Sequence, residues 1–395
     1  MTRRRKIITV FGTRPEAIKL APIIHELERR KHAFEPVNIS SGQHRDLLRP
    51  FITLFGLRVD YDLGVHQRDL QPGEMSRSVI SRLFPILDYE MPDLILVQGD
   101  TSTAVGAAEA GSRMQIPVGH IEAGLRSGDE MRPFPEEIYR KRIAELASYH
   151  FAPTLNNRRN LLSEGVPGSR IFVTGNTVID SLQNVLANNN SFHFVDRIIA
   201  ETSGLQRILL TMHRRENIPQ LKGIFVALRR FLQANADLCI LFPMHPNPAV
   251  RHAARVLRGE PRIRLLEPLD YSEFIHLLRH AWIVLTDSGG IQEEAPTLGK
   301  TVLLLRAKTE RPEALATGAV RVVGDSPDSL LRALENLKTS NLSRPMGCSV
   351  SSNPFGNGGS AKAIVDIVER LKEGMMYEPA GTAVFQPAPL SVTEF

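Results

Sequence analysis

Short apolar runs recur along this chain, each followed by a polar loop and a stretch of helical spacing, and they constrain its fold more than any other feature. The first run, Lys6 to Phe11, leads into a turn at Gly12-Thr13-Arg14-Pro15. A helix then places Ala17, Leu20, Ala21, Ile24 and Leu27 on one face. Pro15 near the first helical turn suits a helix start. Runs at Phe34 to Ile39, Leu94 to Val97, Pro117 to Ile121, Tyr149 to Ala152 and Ile171 to Thr174 continue the series. Strand, loop and helix units of this length predict a parallel sheet covered by helices on both faces.

The rhythm breaks at Ala187 to Phe194, where three asparagines follow one another, and then resumes. Strands are expected at Arg207 to Met212, Leu238 to Phe242, Ile263 to Leu266, Trp282 to Thr286, Thr301 to Leu305 and Val320 to Val323. The α/β class follows, with two doubly wound Rossmann-like domains facing across a cleft. The expected division is an N-terminal domain over 1–186, a linker over 187–206 and a C-terminal domain over 207–358. A terminal helix over 359–374, packing near the junction, and a loose tail over 375–395 complete it. Within these, Ser340 to Gly359 reads as a polar connection and Ser360 to Glu373 as the helix proper.

Composition narrows the function. A chain of 395 residues suggests two or three domains, and 42% hydrophobic with 23% charged residues matches an ordinary water-soluble protein. The 48 lysines and arginines against 43 acids leave a net +5, scattered apart from Arg3-Arg4-Arg5-Lys6, so a nucleic-acid surface is not supported. The basic start and the run Ile7 to Phe11 stop at Gly12-Thr13 without a cleavage site of small residues, and no run approaches the length of a membrane span. A cytoplasmic protein without membrane contact is therefore expected. Cys239 and Cys348 are too few for a disulfide framework, a cysteine zinc site or an iron–sulfur cluster.

Ligands of open parallel sheets bind outside the carboxyl ends of the strands. Arg14, Asp100, Glu122, His213 and Asp287-Ser288-Gly289-Gly290 all follow apolar strands directly. The turn Ser288-Gly289-Gly290 ahead of a helix offers free amides suited to a diphosphate, and it equally suits an ordinary Ser-capped helix. Glu293 and Glu294 would lie near enough to meet ribose hydroxyls, and Arg311 reads as a phosphate contact or a surface arginine. Asp100 reads as a catalytic acid or as the N-cap of the next helix. An unpaired carboxylate at Glu122 would cost several kcal/mol, so it needs a partner or solvent.

Glu136 and Glu137 open another helix, where the dipole alone would favour them. Arg14 and Lys19 are placed to reach a phosphate, although a helical lysine is more often solvated. His213 and His245, at corresponding strand ends, suggest anion handling. With one glycine in the first turn there is no dinucleotide fingerprint, and there is no phosphate loop of the ATPase type. Neither a tightly held NAD nor a metal is expected, since the histidines and carboxylates lack compact ligand spacing.

Taken in order, Val10-Phe11-Gly12-Thr13-Arg14-Pro15-Glu16-Ala17-Ile18-Lys19, Gly99-Asp100-Thr101, Gly119-His120-Ile121-Glu122-Ala123-Gly124-Leu125-Arg126, Pro135-Glu136-Glu137, Gly175-Asn176-Thr177, His213-Arg214-Arg215-Glu216 and Asp287 through Pro296 form a specific set. It resembles the non-hydrolysing UDP-N-acetylglucosamine 2-epimerases, over about residues 6 to 372. The resemblance implies a GT-B arrangement, a homodimer, and reversible interconversion of UDP-N-acetylglucosamine and UDP-N-acetylmannosamine for surface polysaccharide synthesis. No cofactor is implied. UDP leaves C1 as a carboxylate removes the C2 proton, and a 2-acetamidoglucal is reprotonated on the opposite face as UDP returns.

By that match Asp100, Glu122 and Glu136 are the acid/base candidates, and His213 meets the leaving phosphate. Arg14, Lys19, Phe274, Ser288, Gly289, Gly290, Glu294 and Arg311 line the nucleotide site. Gln43, Arg214 and His245, with Glu136, match an activating second site.

The chain departs from the pattern at Tyr139, where Asn is usual, at Ala307, where Asp is usual, and at Asp46, where activated members carry Gln. Tyr139 is expected to reshape the sugar pocket and Asp46 to repel a second diphosphate. Epimerisation of a modified UDP-sugar such as a diacetamido uronic acid, a GT-B glycosyltransferase, a nucleotide-sugar sensor and a hydrolysing epimerase stay open as alternatives.

Overall fold

The structure, a computed structural model, describes residues 3–66, 70–131, 134–188, 192–214, 217–339 and 353–371. Seven parallel strands form the first sheet: β1 (Arg5–Phe11), β2 (Phe34–Ser40), β3 (Tyr61–Asp62), β4 (Leu94–Gln98), β5 (Val118–Ile121), β6 (Tyr149–Ala152) and β7 (Ile171–Val173). Their spatial order is β3-β2-β1-β4-β5-β6-β7. Six more form the second sheet: β8 (Gln206–Thr211), β9 (Leu238–Pro243), β10 (Ile263–Leu266), β11 (Ile283–Thr286), β12 (Thr301–Leu304) and β13 (Val320–Val322). They run in the order β10-β9-β8-β11-β12-β13, so each sheet reverses its winding beside its first strand. β3 escaped the sequence reading because two residues at a sheet edge carry no periodicity.

The chain divides into one unit of Met1–Ser181 with Gly358–Phe395 and another of Leu182–Asn357. In the first, Ile8 pairs with Val37 and Ile95, and these sheet residues pack against Met75, Val79 and Leu83 of the helix Pro72–Glu90. In the second, Ile208, Leu210, Ile240 and Leu285 pack against Ile224, Phe225 and Leu228 of the helix Leu221–Ala234. The central strands of both sheets are apolar on both faces, as helices on either side require.

Within 187–206 the segment His193–Glu201 is helical, because Val195 and Ile198 fall three apart and are both buried. The last helix runs Ser360–Arg370 and packs in the first unit, where Asp180 accepts the amides of Gly359 and Ala361 at 3.0 and 3.1 Å. Arg30 clasps Asp366 at 2.6 Å and Glu369 at 2.7 Å. The expected tail over 375–395 and most of the connection from Ser340 lie outside the described residues. Among the described residues no helix is long and apolar enough to cross a membrane.

Candidate active site

In the N-terminal unit the turn after β1 is held from below. Glu16 reaches back to accept the amides of Gly12 and Thr13 at 2.9 and 2.7 Å, and the Thr101 hydroxyl at 2.5 Å. Burial pushes its carboxyl up to about 7 against the pull of those donors. Gly12 is required by close approach, since a Cβ there would sit 1.9 Å from Ser41 Oγ and 2.5 Å from Thr103 Oγ1. Arg14 begins the helix Arg14–Arg29, exposed, with its guanidinium 5.8 Å from the Phe51 ring centroid.

Asp100 follows β4 but does not cap the next helix. The N-cap of Ser102–Arg113 is Thr101, whose hydroxyl accepts the Ala104 amide. The Asp100 carboxylate instead meets Arg140 at 2.5 Å, the acid keeping 24% of its side-chain surface and the arginine 7%. Arg140 also binds Glu137, and Glu137 accepts the Ser127 amide at 3.0 Å. Glu137 thus ties the loop after Glu122 to the helix Glu136–Leu146, and its placement is more than a response to the dipole. Glu136, beside it, remains half-buried at the helix start.

Glu122 follows β5 in the left-handed region, with φ 66°, a conformation a glutamate adopts only when its surroundings impose it. Its carboxylate accepts from Lys19 Nζ and from Gln98 Nε2, the latter at 2.7 Å. The partner this buried acid requires is therefore Lys19, which lies in the core of the unit as the cation of Glu122. Gln43 accepts from the Thr103 hydroxyl at 2.8 Å and is bound into the same strand ends.

His120, inside β5, contacts the Gly99 carbonyl at 2.7 Å, and burial lowers its pKa to about 4. Its register partner His150 on β6 is lowered to about 3, by burial and then by His120 and nearby arginines.

In the C-terminal unit the residues after β8 and β11 converge. Asp287, fully buried, meets His213 Nδ1 at 3.0 Å and accepts the amides of His213 at 3.1 Å and Arg214 at 3.0 Å, with Asn217 Nδ2 at 3.0 Å. Burial alone would push its carboxyl up, but His213 and these donors outweigh that and hold it below the usual carboxylate range. The His213 side chain keeps 35% of its surface, and the His245 ring lies 5.8 Å away. Arg215 and Glu216 of the same motif lie outside the described residues.

The Ser288-Gly289-Gly290 turn follows, and Ser288 does not cap the helix Ile291–Thr297, whose N-cap is Gly290. A Cβ at Gly289 would sit 2.7 Å from the Arg311 guanidinium, which is buried beneath the turn. Arg311 binds Glu293 at 2.5 Å and Glu310 at 2.6 Å, so it is not a surface arginine. Glu293 is fully buried in that pairing. Glu294 accepts the Tyr271 hydroxyl at 2.7 Å, and Phe274 is half-buried on the same helix, Tyr271–Arg279.

The chain departs from the family pattern at three positions. The Tyr139 ring packs against the apolar core of the N-terminal unit, on the face with Ile143 and Ala147. Asp46 is exposed on the helix Arg45–Leu54, and Ala307 is exposed after β12.

A family profile described as UDP-N-acetylglucosamine 2-epimerase matches residues 25–369. The chain belongs to this family. The Salmonella typhimurium UDP-N-acetylglucosamine 2-epimerase is 44% identical over 375 residues, covering 93% of this chain and 99% of its own. The Neisseria meningitidis UDP-GlcNAc 2-epimerase, solved bound to UDP-GlcNAc, superposes with a TM-score of 0.86 at 38% identity, covering 92% of this chain and 99% of that one. An S. aureus protein solved with UDP gives 0.85 at 40% identity, covering 92% and 96%. The two Rossmann-like sheets of this chain thus match the GT-B-like architecture of the epimerase family.

Proposed function

We propose that this chain interconverts UDP-N-acetylglucosamine and UDP-N-acetylmannosamine, supplying surface polysaccharide synthesis. The observation that carries the reading is the nearly full-length likeness to a family member solved with UDP-GlcNAc bound. The C2 proton is not next to a carbonyl, so its simple removal would leave an unstabilised carbanion. Elimination avoids this. A carboxylate takes the proton as the C1–O bond breaks, the C–H electrons form the C1–C2 double bond, and the bonding pair departs with UDP. Protonation of the 2-acetamidoglucal on the other face and return of UDP invert C2.

Asp100, Glu122 and Glu136 are the acid/base groups of this reading. Glu122 is supported by its imposed backbone and its partners Lys19 and Gln98, and Asp100 by Arg140. His213 meets the leaving diphosphate. Arg14, Lys19, Phe274, Ser288, Gly289, Gly290, Glu294 and Arg311 belong to the nucleotide site. For Lys19 and Arg311 that role is indirect, through Glu122 and through the Gly289 turn. Gln43, Arg214 and His245 are assigned to an activator site.

The reading carries a cytoplasmic homodimer, checked by sedimentation of the purified chain. Its chemical test is proton NMR with UDP-N-acetylglucosamine in deuterium oxide, without metal or nicotinamide. Deuterium at C2 together with a UDP-N-acetylmannosamine signal is the expected outcome. Binding without exchange would overturn it.

A further inference from the structure

We propose that Asp287 is a positioning residue for His213: it fixes the ring through Nδ1 and leaves Nε2 as the nitrogen that meets the departing diphosphate. The inference rests on the reading of His213 as that contact. The geometry is specific. Asp287 and His213 come from the ends of β11 and β8, adjacent strands paired from Ile283–Ile208 to Thr286–Thr211. Asp287 Oδ1 lies 3.0 Å from Nδ1, and the same carboxylate accepts the backbone amide of His213 itself. One buried group therefore sets both the backbone and the side chain of His213.

Asn217, itself buried, holds the carboxylate from behind, donating to it and to the Leu305 carbonyl at 3.0 Å each. A carboxylate can only accept, so Nδ1 carries a hydrogen and the neutral ring is the Nδ1–H tautomer. When Nε2 is also protonated it donates to the diphosphate oxygen as the C1–O bond breaks and the bonding pair stays on that oxygen. Asp287 balances the imidazolium without taking the proton. None of this was assigned to Asp287 from sequence, where it read only as part of a strand-end turn.

The test separates positioning from simple support of the loop. In Asp287→Asn the amide oxygen can still accept backbone amides, but its NH2 group faces Nδ1 and favours the Nε2–H tautomer. Nitrogen NMR of the full chain labelled in histidine, with His213→Gln used to identify the signal, reads the tautomer of the neutral ring. The expected result is Nδ1–H in the unaltered chain and Nε2–H in Asp287→Asn. Turnover and positional exchange of the bridging oxygen should fall about 100-fold with KM changed less than about threefold.

A neutral Nε2–H ring in the unaltered chain overturns the proposal, and that measurement stands even where the variant does not fold. An unchanged tautomer in Asp287→Asn, or a changed tautomer with normal oxygen exchange, overturns it as well. Absence of any exchange by the unaltered chain defeats the functional reading and the catalytic half of this inference with it, while the nitrogen spectrum still decides the pairing.

Discussion

The two units hold their outward-facing charges in opposite ways. In the N-terminal unit the partly exposed group is an acid, Asp100, and the buried partner is a base, Arg140. In the C-terminal unit the partly exposed group is a base, His213, and the buried partner is an acid, Asp287. The same device thus presents a carboxylate in one unit and an imidazole in the other. A buried ion must be paired and hydrogen-bonded to stay charged, so the hidden partner decides which way the outer group points. Glu122 goes further than Asp100, because both it and Lys19 are buried.

That pair gives the largest expected effect. Lys19→Met leaves Glu122 buried without its cation and should cost about 3–5 kcal/mol in a urea unfolding titration, as breaking a buried pair does. Asp100→Asn should cost less, since that acid keeps 24% of its side-chain surface and Arg140 retains Glu137. Equal losses for the two would break the distinction between buried and half-open pairs.

The next comparison is in acid, where His120 and His150 are neutral in the fold at pKa values of about 4 and about 3. The unfolded chain takes up protons near pH 6.5 and the folded chain does not, so their contribution is present above 6.5 and is lost as pH falls through the folded values. For His120 the loss approaches about 3 kcal/mol. Glu16, raised to about 7, acts oppositely: its contribution is present below 4.5 and is lost as pH rises through 7. Asp287, held low, contributes above 3.8 and loses that only as pH falls below it. Hydrogen exchange followed peptide by peptide should therefore show β5 and β6 loosening at a higher pH than the His213–Asp287 turn. Simultaneous loosening would contradict the assignment, and His150→Phe should flatten the acid limb for its own strand.

Asp100→Asn and Glu122→Gln should each lower turnover about 100-fold, close to 3 kcal/mol in barrier, without unfolding the chain. Near-normal deuterium incorporation in either variant would remove that residue from the acid/base set. The smallest effect concerns Tyr139. Its partly buried ring packs against the core, so Tyr139→Asn should cost about 1–2 kcal/mol of stability and leave the choice of sugar nearly unchanged. A large change in KM with intact stability would return Tyr139 to the pocket.

Much of the candidate site was legible because the parallel strands of each sheet end on one edge: Arg14, Asp100 and Glu122 in the first unit, and His213 and Asp287 in the second, could be picked as residues that follow apolar runs. Their partners were not. Arg140 and Glu137 sit on a helical face that looks solvated, Lys19 reads as a surface lysine, and Glu293 and Glu294 stand side by side with nothing to mark both as buried. The available signal was a polar residue closing or interrupting an apolar run, as at Gln98, His120 and His150.

By itself the sequence determined the α/β class, the two series of strands and the order in which chemical groups reach the strand ends, since hydrophobic period and loop chemistry are local properties. Only the tertiary structure decided that Lys19 belongs to Glu122, that Arg140 belongs to Asp100 and that Asp287 governs His213. Those pairings join groups 103, 40 and 74 residues apart in the chain. Charge pairing depends on distance and burial in space, and neither is written in the spacing of residues along the chain.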